Sequence, residues 1–239
     1  MSVKGKLAIV TGAGRGIGKQ IALDLAKAGC NLVLVSRTQQ QIDSTAREAE
    51  DFGVRAMSFA LDLSKPENIQ ALISKVEGVF GKIDYLINNA AIIIPKWFTE
   101  QTLEEFDETM SVNLRSMFII GQAVMNKMIE QQDGYIINIS STAAIVVPPT
   151  LTAYGVAKKG VLGLTEAMYE VGKKHNVRVS TILPGVTNTE MVRGLFPGDS
   201  EDLWMLPEDI SYCVLFLLNQ SKRMIVKEIV PWAVGHDEI

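Results

Sequence analysis

The chain has 239 residues, of which 47% are hydrophobic and 21% are charged. These proportions are those of an ordinary globular protein, and a chain of this length buries a large core without a metal or a disulfide. The net charge of −4 disfavours a nucleic-acid-binding function, which normally needs a basic surface. No run of about eighteen apolar residues is present in the sequence, so we expect no membrane span and no membrane partner.

The two cysteines, Cys30 and Cys213, lie far apart in the sequence. This spacing fits neither a disulfide framework nor a zinc site, and no other metal site is predicted. Unpaired cysteines favour a reducing compartment, and the hydrophobic run near the N-terminus is too short for a signal peptide. We therefore expect a cytoplasmic protein.

Short β-branched and apolar runs alternate along the chain with longer segments of helical periodicity. The runs predict strands at residues 6–10, 31–35, 54–60, 83–88, 134–139, 177–183 and 225–230. Helical spacing predicts helices at residues 17–28, 66–80, 104–131 and 152–175. This alternation predicts one α/β domain over residues 1–239, a doubly wound, Rossmann-type parallel sheet of about seven strands with helices on both faces. Residues 184–206, rich in Gly and Pro, are predicted to be a loop over the site.

The first predicted strand ends in a glycine-rich segment, TGAGRGIG at residues 11–18, and a helix follows at once. Backbone N–H groups of such a turn, together with the dipole of the helix N-terminus, favour binding of a pyrophosphate. The alternative is a tight turn that only packs the helix closely against the strand. The spacing of Gly12, Gly16 and Gly18 differs from the usual G-x-G-x-x-G dinucleotide motif.

A second group of polar residues lies in the C-terminal half. Tyr154 and Lys158 are four residues apart, which places them on one face of a helix. An ammonium beside a phenol lowers the phenol pKa from about 10 and makes it a usable proton donor to a carbonyl. Ser141, at the end of a predicted strand, is placed to polarise the same substrate oxygen. For the Tyr and Lys pair alone, a surface tyrosine beside a lysine is the simpler alternative.

These segments resemble the short-chain dehydrogenase/reductase family, whose glycine motif is TGxxxGxG. The sequences NNA at residues 88–90 and PGVTNT at residues 184–189 resemble the NNAG and PGxxxT motifs of that family, and the resemblance extends over about residues 4–218. Two departures are present: Ala91 replaces a glycine, and residues 229–233 replace a frequent terminal glycine pair. Alanine preserves the turn at position 91 unless the backbone there is left-handed.

The resemblance implies a carbonyl-reducing oxidoreductase with four catalytic residues. Tyr154 is the implied general acid, Ser141 orients the substrate oxygen, and Lys158 holds the nicotinamide ribose. Asn113 is implied to bend its helix and to hold a water of a proton relay ending at the lysine. The implied cofactor-binding residues are Gly12, Gly14, Arg15, Gly16, Ile17, Gly18, Ser36, Arg37, Asp62, Leu63, Asn89, Ala90, Tyr154, Lys158, Pro184, Gly185, Thr187 and Thr189.

The cofactor is predicted from the end of the second strand. An NAD-selective site would place an acidic residue there to bind the ribose 2′-hydroxyl. Ser36 and Arg37 occupy that position, and Arg15 lies in the glycine loop, so two cations are available for a 2′-phosphate. We therefore expect NADP(H).

The predicted substrate is a small or medium carbonyl compound, a ketone or a 3-oxoacyl group. Apolar candidates for its pocket are Ile93, Trp97, Val147, Val186, Phe196 and Trp204, each of which is equally compatible with the core or an interface. The alternatives are a 3-oxoacyl-[acyl-carrier-protein] reductase and, from another class, a catalytically silent NADP-binding regulator. All four catalytic residues are present, which favours an enzyme.

An acidic carrier protein would need a basic patch beside the site entrance. Residues 130–135 contain no Lys or Arg, and Lys173, Lys174 and Arg178 are the remaining basic candidates. We therefore expect no strong preference for carrier-bound substrates.

The pattern at residues 113–129 is apolar nearly all round, although a helix that only covers a sheet has a polar face. Relatives in the family pair through this helix and the one that carries the tyrosine. We therefore expect a homotetramer or, failing that, a dimer.

Overall fold

The computed structural model describes residues 3–195 and 201–234. Its strands are β1 Leu7–Thr11, β2 Asn31–Ser36, β3 Ala56–Ala60, β4 Tyr85–Asn88, β5 Gly134–Ile139, β6 Val177–Ile182 and β7 Glu228–Ile229. Its α-helices are α1 Gly16–Lys27, α2 Gln39–Glu50, α3 Pro66–Phe80, α4 Leu103–Met110, α5 Ser116–Gln131, α6 Thr152–Gly172, α7 Glu190–Arg193 and α8 Pro207–Leu218. Phe196, a predicted pocket residue, lies outside the described residues.

The seven strands form one parallel sheet in the order β3-β2-β1-β4-β5-β6-β7. The chain moves outward from β1 to β3, then returns to the other side of β1 and continues through β4 to β7. In open α/β sheets a ligand crevice forms at the carboxyl ends of the strands where this direction reverses, here between β1 and β4. The predicted doubly wound α/β fold is confirmed.

Successive residues of each inner strand face opposite sides of the sheet, so the strands contribute to two separate cores. Ala8 and Val10 pack in the core under α1, α2 and α8. Leu7 and Ile9 pack in the core under α3, α5 and α6. Burial on both faces explains why the inner strands are continuous apolar runs and are recognisable in the sequence.

Three predicted boundaries are corrected, and two helices are added. The predicted helix at 104–131 consists of α4, a π-helical turn at Ser111–Arg115 and α5. The predicted helix at 152–175 ends at Gly172, and a 3-10 turn follows it. β7 has two residues instead of the predicted six, and these two residues, Glu228 and Ile229, pair with β6. Helices α2 and α8 were not among the predicted helices, although both cover the sheet.

Four local expectations concern backbone strain at Ala91, cysteine pairing, membrane-spanning helices and metal sites. Among the described non-glycine residues a positive φ occurs at Gln132 and Asn176 alone, so Ala91 carries no left-handed strain. Cys30 is buried, Cys213 is half-buried, and neither is disulfide-bonded. Within residues 3–195 and 201–234, no helix has the length and apolar character needed to cross a membrane, and no cluster of three or more His, Cys, Asp or Glu residues is arranged to hold a metal.

Candidate active site

A cavity of about 390 Å³ opens at the carboxyl edge of the sheet. The segments that follow the first six strands all contribute to its wall. The predicted residues that line it are Gly12, Gly14, Arg15, Gly16, Ile17, Ser36, Arg37, Asp62, Leu63, Asn89, Ala90, Ile93, Ser141, Tyr154, Lys158, Pro184, Gly185, Val186, Thr187 and Thr189. Because parallel strands end at one edge, motifs that are far apart in the chain meet here.

The glycine loop approaches its neighbours too closely for side chains. Gly12 has φ +67, and a Cβ there would lie 2.9 Å from the Ala90 Cα. A Cβ on Gly14 would lie 3.0 Å from Gln41 at the cavity wall. The loop therefore leaves an open backbone cradle before α1, and these residues fit a bound pyrophosphate.

Gly18 has a different position from the one predicted. It is buried and does not line the cavity. A Cβ on Gly18 would lie 2.3 Å from the Gly12 carbonyl oxygen. Gly18 therefore allows α1 to pack against the end of β1, which is the close-packing alternative noted from the sequence.

The NNA segment is fixed to the end of β1 by hydrogen bonds. The Thr11 Oγ1 accepts hydrogen bonds from the backbone N–H groups of Asn89, at 2.9 Å, and Ala90, at 3.0 Å. The Asn89 side-chain amide donates to the Thr11 carbonyl oxygen at 3.1 Å. These bonds hold β1 and β4 together at the crevice floor, so the first glycine and the NNA segment form one rigid unit.

Tyr154, Lys158 and Ser141 meet at the centre of the cavity. The Ser141 hydroxyl lies close enough to the Tyr154 hydroxyl to lower the pKa of the phenol. Lys158, whose side chain is 1% exposed, donates from Nζ to the Ile139 carbonyl oxygen at 2.8 Å. The Ser140 hydroxyl donates to the Lys158 carbonyl oxygen at 2.9 Å. Consecutive residues at the end of β5 thus hold both the ammonium and the backbone of Lys158.

The pKa values of this pair differ from the expectation. Burial raises the pKa of Tyr154 to about 12, and the nearby Ser141 hydroxyl offsets only part of this. Burial lowers the pKa of Lys158 to about 8. The predicted net lowering of the tyrosine pKa is wrong for the chain alone, because burial outweighs the effect of the ammonium, which is bonded to Ile139 and lies 5.6 Å from the tyrosine ring centroid.

Asn113 lies in the π-helical turn, behind the cavity wall. Its side-chain oxygen accepts from the Ile92 N–H at 2.8 Å, and its amide donates to the Ile92 carbonyl oxygen at 2.8 Å. The side chain is fully buried and does not line the cavity. The residue therefore ties a distorted helix to the loop after β4. Its implied role in holding a relay water stays a prediction.

At the other end of the cavity, charged side chains follow β1, β2 and β3. Asp62 accepts hydrogen bonds from the Ser64 hydroxyl and N–H, and these bonds hold its pKa below the usual value. Arg15 forms a 2.7 Å ion pair with Glu190 of α7, and both side chains are exposed. This pair joins the glycine loop to the loop after β6. No sequence signal predicts it, because its partners are 175 residues apart.

The predicted substrate residues divide into three groups. Ile93 and Val186 line the main cavity, and Trp97 lines a neighbouring cavity of about 260 Å³. Val147 lines neither cavity, because its side chain packs on Gly155 of α6. Trp204 is 5% exposed and lines neither cavity. Apolar residues of the main cavity that were missed include Ile92, Pro148, Leu151, Met191, Val192 and Leu195.

The segments considered for binding a carrier protein lie far from the active site. Residues 130–133 and Arg178 lie at the amino ends of β5 and β6, whereas Ser141 and Tyr154 lie at the carboxyl edge. A strand of six residues is about 20 Å long, so neither segment borders the site entrance of the same chain. The composition of those segments therefore carries no information about a carrier at this entrance.

The sequence is similar to those of known oxidoreductases over most of its length. The sequence matches the family described as short chain dehydrogenase over residues 6–200. It is 32% identical to an uncharacterized oxidoreductase of Staphylococcus aureus, covering 94% of this chain and 95% of that protein. It is 33% identical to the 2-dehydro-3-deoxy-D-gluconate 5-dehydrogenase of Escherichia coli, covering 94% and 92%. It is 29% identical to the 3-oxoacyl-[acyl-carrier-protein] reductase of Thermotoga maritima, covering 96% and 97%.

Two solved structures are similar over almost their whole length. A metagenomic short-chain oxidoreductase in complex with NADP has a TM-score of 0.86 and 31% identity, covering 99% of this chain and 100% of that chain. An NAD⁺-bound xylitol dehydrogenase has a TM-score of 0.88 and 26% identity, covering 96% and 98%. Both nicotinamide cofactors therefore occur among proteins with this fold.

Proposed function

The chain belongs to the short-chain dehydrogenase/reductase family, and from this premise we propose that it reduces a ketone or 3-oxoacyl carbonyl to an alcohol with NADPH. One observation carries the proposal: Tyr154, Ser141 and Lys158 share a cavity with an open glycine cradle. A proton donor and a dinucleotide site in one cavity are what carbonyl reduction needs.

In the proposed complex, several segments that line the cavity bind the cofactor. The glycine loop and the segment from Pro184 to Thr189 hold the cofactor, with Lys158 at the nicotinamide ribose. When bound, the cofactor supplies a hydride for the carbonyl carbon. The residues supply position and electrostatics.

The chain's own chemistry is proton transfer. Tyr154 donates its hydroxyl proton to the carbonyl oxygen as the new C–H bond forms at the carbonyl carbon. Ser141 donates a hydrogen bond to the same oxygen and polarises it. The ammonium of Lys158 stabilises the negative charge that develops on the tyrosine oxygen. Because Lys158 is buried, this electrostatic attraction is stronger than it would be in water.

The test is a screen of ketones, 3-oxoacyl thioesters, sugars and quinones, followed by loss of NADPH absorbance. We expect turnover of at least one carbonyl class, and stoichiometric alcohol formation identifies the reaction. Carrier-bound 3-oxoacyl substrates belong in the screen, because the Thermotoga maritima relative is a reductase of such groups by name. Absence of turnover with every class, at confirmed NADPH binding, would support the silent regulator.

The pH dependence of reduction follows from the two pKa shifts. Tyr154 stays protonated up to about pH 12, so the acid is present across the neutral range. Lys158 loses its proton as the pH rises through about 8, and its charge then no longer stabilises the tyrosine oxygen. We expect kcat/KM to be constant below that pH and to fall above it. A profile that stays flat to pH 10 would contradict this.

We infer that the protein assembles as a homotetramer, or failing that as a dimer. Phe118 of α5 is 49% exposed and Val156 of α6 is 44% exposed, so the two helices present apolar side chains to the outside. Light scattering at micromolar concentration should give a multiple of the 26.2 kDa chain mass. Phe118→Glu should lower the assembly state, and Phe52→Glu, an exposed aromatic between α2 and β3, is the matched control. A monomeric wild type would refute the assembly.

A further inference from the structure

Beside the main cavity lies the second cavity of about 260 Å³, which no part of the proposed chemistry uses. Pro148, Leu151 and Leu195 line both cavities. The second cavity therefore shares an entirely apolar wall with the chamber that contains Tyr154. Trp97, which is 55% exposed, forms part of its lining.

The loops that build this second cavity are tied to one another. The Lys96 N–H donates to the Thr150 carbonyl oxygen at 2.8 Å, and Lys96 forms a parallel bridge with Leu151. The loop after β6 is held by a second bridge between Thr187 and Met205. The first bridge thus fixes the wall formed by the loops of Lys96 and Leu151, so this side of the space is preformed and its occupation costs little ordering of those loops.

The lining also defines the chemistry of an occupant. The charged side chains that line the second cavity are Lys96 and Glu100, both exposed and opposite in sign. The shared wall offers an ionic group no partner, and desolvating an unpaired charge is costly. An apolar group gains from burial against Trp97 and the shared wall.

We infer that the second cavity binds the apolar tail of the substrate, so that this enzyme prefers carbonyl compounds with an uncharged alkyl or aryl substituent. The inference rests on the proposed carbonyl reduction. The carbonyl lies at Tyr154, and the tail crosses the wall of Pro148, Leu151 and Leu195 to reach Trp97. Trp97 and Gly194 are then specificity-determining residues.

The experiment measures kcat/KM with NADPH for 2-alkanones from 2-butanone to 2-nonanone. Each methylene that becomes buried should raise kcat/KM up to about fourfold, equivalent to about 0.8 kcal/mol. For 7-oxooctanoate, which ends in a carboxylate, we expect at least about a tenfold lower value than for 2-octanone. Equal values for the two, or no rise along the series, would overturn the inference while leaving carbonyl reduction intact.

Two variants locate the tail. Gly194 has φ −82, and among residues 3–195 and 201–234 no atom lies within 4 Å of its Cβ position, so Gly194→Leu fits the backbone and places a side chain at the second cavity. The ratio of kcat/KM for 2-nonanone over 2-butanone should fall at least about tenfold in Gly194→Leu and about fivefold in Trp97→Ala, the scale of one or two lost methylene contacts. Phe98→Ala and Gly78→Leu, exposed positions outside both cavities, should leave the ratio unchanged.

A binding measurement separates this inference from the proposed reaction. The tryptophan fluorescence of the chain without cofactor is titrated with 2-octanone, and we expect a saturable change that Gly194→Leu abolishes. An unchanged ratio in Gly194→Leu, together with unaltered fluorescence titration, would refute the tail site. If the fluorescence change is present but no ketone is reduced, the tail site stands as a binding site and the proposed reaction fails.

Discussion

Replacement of Tyr154 by phenylalanine should lower kcat at least about a hundredfold, the usual contribution of a general acid. The substitution removes one hydroxyl group and keeps the ring that packs at the start of α6. The Ser141 hydroxyl remains and can still donate a hydrogen bond to the substrate oxygen, but the general acid is lost. Because neither Lys158 nor the glycine loop changes, the dissociation constant for NADPH should stay close to that of the wild type. Stopped-flow or steady-state reduction of the best substrate, with NADPH binding by fluorescence, measures both quantities.

Matched variants separate chemistry from folding. Tyr169→Phe changes another tyrosine of α6 that is stacked with Lys173 and Lys227 outside the cavity, and it should keep wild-type activity. Lys158→Ala should lose activity and NADPH affinity together, because the lysine serves both the tyrosine and the ribose. If Tyr154→Phe kept most of the activity, another group would be the proton donor and the proposed mechanism would be wrong.

The fold was largely predictable because the inner strands are buried on both faces. Strand β5 begins and ends where the apolar run predicts, and it lies between β4 and β6. At the edge, β7 is shorter than its predicted run, which contains the charged residues Lys227 and Glu228. Helix α2 was missed because only Ile42, Thr45, Ala46 and Ala49 are buried in it, so its apolar stripe is narrow.

The location of the site was predictable for a topological reason. Each motif follows a strand, and parallel strands bring their carboxyl ends to one edge whatever the loop conformations are. The individual contacts were not predictable in the same way. The Asn113 amide hydrogen-bonds with Ile92, and the Lys158 ammonium hydrogen-bonds with Ile139. Both contacts depend on the orientation of buried side chains. For that reason the sign of the tyrosine pKa shift was predicted wrongly, although Ser141, Tyr154 and Lys158 line one cavity.

The second large effect that we expect is on cofactor choice. The end of β2 presents Ser36 and Arg37 to the cavity, and no carboxylate stands there to accept the ribose 2′-hydroxyl of NADH. Arg37 is close enough to Asp62 to lower the pKa of that carboxyl, so a cation is present at this end of the cavity. Arg15 also lines the cavity, but it is bound to Glu190 in the structure. A 2′-phosphate would therefore compete with Glu190 for Arg15. Arg37, in contrast, takes part in none of the ion pairs found among the described residues.

We expect kcat/KM for NADPH to exceed that for NADH about a hundredfold, equivalent to about 2.7 kcal/mol. Charge-assisted hydrogen bonds contribute about 1.5–3 kcal/mol each, and less where solvent screens them, so two exposed arginines reach this value only together. Arg37→Asp should remove most of the preference, and Arg47→Asp, the same charge change on an exposed residue outside the cavity, should not. Glu190→Gln frees Arg15 and should raise the preference by a few-fold at most, because exposed ion pairs are weak. Added salt should reduce the preference, since both arginines face solvent. Equal kcat/KM values for the two cofactors, or a preference for NADH, would show that neither arginine binds a 2′-phosphate.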